Sequence, residues 1–469
     1  MSVRAVAAVD LGATSGRVMI GRIGEGRLEL ELVSRFPNGP VERDDGLHWD
    51  FSALYEHVVA GLAEAVRREP AIESIGIDSW AVDYGLLADG ALLAEPFHYR
   101  DSRTARGVAE VHDIVPFADL YARDGLQFLP FNTLYQYRVD ERIADADVAL
   151  LIPDLIAFLL TGVSAAERTN ASTTGLLGVD DGEWDTDLAS RIGIPSRILP
   201  PLIDPGAVIG SLRPDLAARI GADLPVIAVG SHDTASAVVA VPMTSPSAAY
   251  ISCGTWGLVG LELTEPVLTD AAREANFTHE LGVDGRYRFL HNVTGLWLLS
   301  ESVRAWEGED GASIDLAELL AAAAAVSDGV PLFDANDPSL SAPGDMPSRI
   351  ATLVEASGAS APTERAVFTR SIVESIAAAF AETVRAASDL SGREVDVIHL
   401  VGGGSLNALL CQAIADRSAL PVLAGPVEAT ALGNVLVQAR ALGAAAADLE
   451  GLRALVAATH PVRRFDPRG

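Results

Sequence analysis

A carboxylate beside an imidazole, at the point where an apolar strand gives way to a helix, is well placed to take a proton from an alcohol. The run GSHDT at 230–234 has that form: His232 and Asp233 follow PVIAV and precede TASAVVAV. A helix start also turns backbone N–H groups toward an incoming anion. Asp233 is therefore the candidate general base, with a helix N-cap as its structural alternative. A second group lies in VDLGATSGR, residues 9–17, which reads as a buried strand ending on Asp10, a tight turn and a returning strand. Ala13, Thr14, Ser15 and Gly16 are small enough for backbone N–H groups and two hydroxyls to approach a polyanion, and Arg17 adds a forked cation. Asp10 is placed to hold Mg²⁺ through water, because that ion keeps much of its hydration shell.

The elements that must carry these groups are legible in outline. LELELVSRF reads as a strand, and residues 51–68 as a helix with Leu54, Val58 and Leu62 in register. IGID is a strand ending at Asp78, and IPDLIAFLLTG is a helix with Pro153 in its first turn and Gly162 as its stop. AAYISCGTWGLVGLEL repeats the opening logic of strand, Gly–Thr turn and strand, a weak internal duplication. A long amphipathic helix, about 364–390, leads into the strand VDVIHLV, a triple glycine at 402–404 and a further helix. The expected organisation is two α/β lobes, 1–243 and 244–469, with a cleft between them.

Bulk composition narrows the function. The 469 residues are 49% apolar, enough for two or three cores, and carry 34 Lys and Arg against 64 Asp and Glu, a net charge of −30. Such a surface disfavours nucleic acid and anionic membranes as partners. A phosphorylated ligand must then be held on a small neutral-to-positive island of N–H groups, hydroxyls, a metal and a few arginines. Cys253 and Cys411 lie in apolar stretches and read as small buried hydrophobes. No stretch offers the ~20 apolar residues of a membrane span, and no leader pattern opens the chain, so the expected location is cytoplasmic. His232 lacks a second His or Cys at zinc-ligand spacing.

DLGATSGR, GSHDTASA and VGGGSLN resemble the two phosphate loops and the adenosine loop of the actin, hexokinase and heat-shock ATPase fold. With DSWAVDYGLL, HYRDSRT, LQFLPFNTLYQ, TNASTTGLL, CGTWGLVG, HNVTGLWLL and AGPVEATALGN in order from about 5 to 440, the chain is similar to the FGGY family of carbohydrate kinases. The resemblance implies an α/β, two-lobed actin-like (ribonuclease H-like) ATPase fold with an interdomain cleft. The partners it implies are ATP, Mg²⁺ and a small sugar, in a monomer or homodimer. It places the catalytic aspartate on Asp233, and the phosphates on Ala13 to Arg17 with Thr255. Adenosine falls to Gly402, Gly403 and Asn407, and the sugar to Ala81, His232, Thr234 and Asn292.

Asp83 is added to the sugar set because a carboxylate accepts several hydrogen bonds at once. Arg100, Asp101 and Arg103 read as an ion-pair corner of the same wall, Gln136 as pocket or surface, and Trp256 as core. Within the family the match is to members phosphorylating L-rhamnulose at O1. Two departures stand out: Ala81 where such members carry glycine, and Ser300 where a nucleotide-contacting glutamine is expected. The first keeps L-fuculose, xylulose or glycerol open as substrates. A nucleotide-driven binding or filament protein of the same fold is the reading from another class.

Overall fold

The computed structural model describes residues 3–327 and 329–468. Its opening strand, β1 (Arg4–Leu11), is buried at every residue after Arg4, as a central strand must be. It pairs antiparallel with β2 (Ser15–Gly24), which pairs antiparallel with β3 (Arg27–Pro37). On its other side β1 runs parallel to β4 (Ile72–Ser79), in a register that sets Asp10 beside Asp78. With β5 (Val208–Ser211) and β6 (Pro225–Ile227) the sheet order is β5-β6-β4-β1-β2-β3.

A parallel β1–β4 pair needs a crossover, and α1 (Phe51–Arg68) lies within it. The Asp50 carboxylate accepts from Ala53 N at its start, and Leu54, Val58 and Leu62 are buried in one cluster with Val9, Val18 and Ile77. Three further helices position the site: α2 (Thr133–Val139), α3 (Ile152–Thr161) and α4 (Asp233–Val239). Pro153 opens α3, and Gly162, left-handed at φ 81°, ends it.

The second sheet contains β7 (Ala248–Cys253), β8 (Trp256–Leu263), β9 (Tyr287–Thr294), β10 (Val397–Val401), β11 (Val422–Ala424) and β12 (Arg463–Phe465), in the order β9-β8-β7-β10-β11-β12. Here β7 pairs antiparallel with β8 and parallel with β10, as β1 does with β2 and β4. Helices α5 (Trp297–Asp310), α6 (Arg365–Ser391) and α7 (Ala408–Ser418) accompany it, and Phe380 of α6 packs on Gly257.

The chain divides into two compact units, and neither is one continuous stretch. The first takes the chain up to Pro242 with Glu262–Phe289 and Ala429–Thr459; the second takes Met243–Leu261, Leu290–Glu428 and the chain from His460. A single break at 243/244 therefore leaves out two returning segments. The later one holds α8 (Ala429–Ala441), which packs on α4 so closely that a Cβ on Gly433 would sit 1.8 Å from the Ser236 carbonyl oxygen. Only glycine permits that approach. Among the described residues no helix is long and apolar enough to cross a membrane.

Candidate active site

Asp233 is the first residue of α4, and its carboxyl does not cap the helix: His232 holds the N-cap position, with no side-chain capping bond. The side chain is 31% exposed, and the turn behind it is hydrogen-bonded from two sides. Buried Glu167 accepts at Oε2 from Ser231 N at 2.9 Å and Ser231 Oγ at 2.8 Å, and at Oε1 from Thr169 N at 2.9 Å. Ser79 N, at the end of β4, donates to Ser231 O at 2.9 Å. A carboxylate held on a turn this firmly anchored would lose little entropy on meeting a hydroxyl. Thr234, expected to face a sugar, is buried and donates its hydroxyl to Asp233 Oδ1 at 3.1 Å. His232 Nε2 stands 3.4 Å from that same oxygen.

The turn between β1 and β2 is closed by Gly12 N donating to Ser15 O at 3.0 Å and braced by Asn38 N on Thr14 O at 3.1 Å. Thr14 is exposed, Ala13 and Ser15 are half-buried, and Gly16 is buried against Phe36. Arg17 is not simply a cation at the turn's mouth: its guanidinium donates to Asp10 Oδ2 at 2.6 Å across the strand pair. Beside Asp10, Asp78 is fully buried; its Oδ2 accepts from Asn434 Nδ2 at 2.6 Å and its Oδ1 has no hydrogen-bond partner. Burial first, then the neighbouring Asp10 charge, pushes the Asp78 carboxyl well above its ordinary range. Hard oxygen donors, like-charge crowding and an orphaned buried oxygen fit a hydrated Mg²⁺. No group of three or more His, Cys, Asp or Glu suited to caging a metal occurs among the described residues.

The segment WAVD contradicts one expectation. Asp83 is fully buried, and its acceptor sites are taken by the protein: Oδ2 by Trp49 Nε1 at 2.6 Å, Trp80 Nε1 at 3.1 Å and Tyr99 N at 3.2 Å, and Oδ1 by Gln136 Nε2 at 3.0 Å. It anchors the wall rather than binding a sugar. Burial pushes its carboxyl up to about 6 against those four donors. Gln136 is neither pocket nor surface but fully buried, and Arg103 joins it at 2.9 Å while pairing with Asp101 at 3.7 Å. Asp83 N donates back to Ala81 O at 2.9 Å, closing a three-residue turn with Val82 at φ 69°. A β-branched residue rarely adopts that conformation, so Ala81 is presented by a strained turn.

The second unit carries its own set. Thr255 is half-buried in the β7–β8 turn, and its carbonyl accepts from Gly295 N and Trp297 N, both at 3.2 Å. Trp256 is half-buried rather than core, and Asn292 is half-buried on β9. After β10 the chain passes beneath Cys253: a Cβ on Gly402, at φ 81°, would meet the Cys253 carbonyl oxygen at 2.8 Å. Asn407 caps α7, its Oδ1 accepting from Leu410 N at 3.1 Å, while its buried Nδ2 has no partner. Asn407 lines a cavity of about 440 Å³ together with Gly403, with Leu299, Ser300, Val303, Arg304 and Glu307 of α5, and with Leu316 and Leu320. Its volume, and apolar walls interrupted by the Ser300 hydroxyl and the charged Arg304 and Glu307, suit a purine nucleoside.

Glu167, Trp49, Asn434, Glu280 and Arg288 were not singled out from the sequence, because each reaches its partner across a long stretch of chain.

Family models for the N-terminal and C-terminal domains of the FGGY family of carbohydrate kinases match residues 5–240 and 249–442. The chain is 37% identical over 98% of its length to a rhamnulokinase from Bacteroides thetaiotaomicron, 95% of which is covered. It is 40% identical over its whole length to a rhamnulokinase from Pectobacterium carotovorum, with 94% of that protein covered. Among solved structures, a ligand-bound xylulose kinase from Lactobacillus acidophilus superposes with a TM-score of 0.80 at 17% identity, covering 99% of this chain and 94% of that one. The fold is thus the two-lobed actin-like α/β ATPase fold of sugar kinases, and the activity class is ATP-dependent phosphoryl transfer to a carbohydrate. On the strength of both domain matches and full-length relatives, the chain belongs to the FGGY family of carbohydrate kinases.

Proposed function

We propose that this protein transfers the γ-phosphoryl group of ATP to O1 of L-rhamnulose, giving L-rhamnulose 1-phosphate and ADP. The observation that carries the chemistry is the partly exposed Asp233 carboxyl on its anchored turn, with the His232 imidazole 3.4 Å away. The choice of sugar rests on the full-length likeness to proteins named rhamnulokinase.

In this reading Asp233 accepts the O1 proton as the O1–P bond forms and the bond to the β-phosphate oxygen breaks. The proton leaves late, since the transition state is largely dissociative. His232 and Asn292 hold sugar hydroxyls, and the Ala81 backbone lies against the sugar. Ala13 to Arg17 and Thr255 hold the phosphates, while Gly402, Gly403 and Asn407 hold adenosine. Mg²⁺, held by Asp10 through water, would neutralise phosphate charge. The setting is the cytoplasm.

The Ala81 methyl, where L-rhamnulose kinases are expected to carry glycine, favours a second reading in which another ketose or polyol is preferred. A coupled ADP-release assay over L-rhamnulose, L-fuculose, xylulose and glycerol decides between them. L-Rhamnulose should give the highest kcat/KM; a clear preference for any other sugar overturns the substrate assignment. ATP hydrolysis with no sugar dependence overturns the kinase reading itself.

A further inference from the structure

The carboxylate behind the Asp233 turn has more partners than a helix cap uses. Glu167 ends the short strand Ala166–Glu167 and caps the short helix Arg168–Ala171, accepting from Thr169 N at 2.9 Å and Asn170 N at 3.4 Å. Those two bonds complete a cap. Its Oε2 also accepts from Ser231 N at 2.9 Å, Ser231 Oγ at 2.8 Å and Thr169 Oγ1 at 2.5 Å. Ser231 lies 64 positions further along the chain. Glu167 is buried, and every one of these donors is neutral. Burial pushes its carboxyl up, and the Thr169 and Ser231 donors oppose that shift. Its own N–H donates to Asp154 Oδ1, in the first turn of α3, at 3.1 Å.

Two consecutive peptide groups lead into His232 and Asp233, and each is held at both edges. In the first, Gly230 O accepts from Ser236 Oγ of α4 at 2.6 Å, while Ser231 N donates to Glu167. In the second, Ser231 O accepts from Ser79 N at the end of β4 at 2.9 Å, while His232 N donates to Thr169 Oγ1 at 3.4 Å. That hydroxyl donates onward to Glu167. A planar peptide held at one edge can still swing about its Cα–Cα axis; held at both, it fixes the direction in which the next side chain leaves. The carbonyl edges belong to α4 and β4. Both N–H edges end on the same carboxylate. All of these residues lie in the first compact unit.

We infer that Glu167 is a positioning residue for Asp233: it holds the N–H edges of the two peptides that precede the base, one directly and one through the Thr169 hydroxyl. This inference rests on the assignment of Asp233 as the base. Glu167 touches no reacting atom in this arrangement, and its effect on turnover passes through the direction of the Asp233 side chain.

The test is a double-mutant cycle on the full chain, using whichever sugar the substrate panel selects, together with a direct reading of the turn. Glu167→Ala should lower kcat about 10²-fold, the cost of misplacing a reacting group by about 1 Å, with the ATP KM unchanged. Thr169→Val keeps the side-chain shape and cuts only the link to His232 N, so it should cost about tenfold, the reach of one hydrogen bond. In an Asp233→Ala background neither change should lower kcat further, because no base is left to misplace. Losses that multiply, or an ATP KM that rises in step, overturn the inference.

Removing Glu167 leaves several buried donors unpaired. If that variant does not fold, Thr169→Val alone enters the cycle. Independently of turnover, amide hydrogen exchange reads the two held edges. The Ser231 and His232 N–H groups should be protected in the wild type. In Glu167→Ala both should exchange faster by a larger factor than the β1 amides, and in Thr169→Val the His232 amide alone should do so. Acceleration no greater than that of β1 marks general destabilisation and overturns the inference. An exchange pattern that follows Glu167 while Asp233→Ala keeps full activity overturns the functional reading alone.

Discussion

The hairpins β1–β2 and β7–β8 use one backbone device for opposite purposes. Each is a buried strand, a short glycine-containing turn and an antiparallel return, and each first strand has a parallel neighbour on its far side. In the first, Asp10 faces Arg17 across the ladder and Asp78 on the parallel strand. In the second, Cys253 ends the strand opposite Gly257, and burial pushes its thiol up to about 12. One end is therefore charged and the other is neutral and backbone-lined. The first suits groups that gain or lose charge; the second suits close approach of a chain to a flat ligand. Four substitutions test that division.

The largest effect belongs to the charged unit. Asp233→Ala should lower kcat by about 10²–10⁴, the usual reach of a general base, while ATP binding measured by calorimetry stays near wild type. Turnover close to wild type would remove Asp233 from the chemistry. Next comes Asp83→Ala, which strands the buried donors of Trp49, Trp80 and Tyr99, while Gln136 keeps the Phe131 carbonyl at 2.9 Å. At about 1–3 kcal/mol for each buried group left unpaired, the loss should total several kcal/mol in urea unfolding. A loss confined to sugar KM, with unchanged stability, would restore Asp83 as a direct sugar ligand.

Asp83 also shows where reading the sequence stops. Helix α1 is legible from its apolar spacing, α3 from Pro153 and Gly162, and α6 to within a residue at either end, because those signals are local. The place of Asp233 at a helix start is legible for the same reason. The partners of Asp83 are not: a carboxylate after an apolar strand looks the same whether it meets a ligand or two indoles. Asp78 reaches Asn434 across 356 positions, and that contact belongs to the same return of chain that makes the units discontinuous. Hairpin duplication is visible in strand order but not letter by letter, since Asp10 and Cys253 do unlike things at like places.

The backbone-lined end has its own test. Gly402→Val would force a β-branched residue to φ 81° and set its Cβ 2.8 Å from the Cys253 carbonyl oxygen. The loop must shift, at a cost of about 1–3 kcal/mol. ATP affinity should fall about 10- to 100-fold by calorimetry, with sugar binding unchanged. Equal losses in both ligands would mean that the two ends are not separable.

The smallest effect concerns pH and should arise from the first unit. Asp124 is buried there and accepts from Leu126 N at 2.9 Å, and burial pushes its carboxyl up to about 8. Its unfolded value is about 3.9, so between these limits the folded chain binds a proton that the unfolded chain has lost. The stability this confers is complete below about pH 4, is lost as pH rises, and is gone above about pH 8. Asp124→Asn keeps an oxygen for Leu126 N and cannot ionise. Between pH 6 and pH 8 the wild type should therefore lose about 2 kcal/mol relative to the variant, read as diverging urea midpoints. Cys253 and Cys411, both pushed up to about 12, contribute nothing in that window. Parallel midpoints for wild type and variant would mean that Asp124 is already ionised in the fold at pH 6, and the charged unit would then have no part in the pH response at this position.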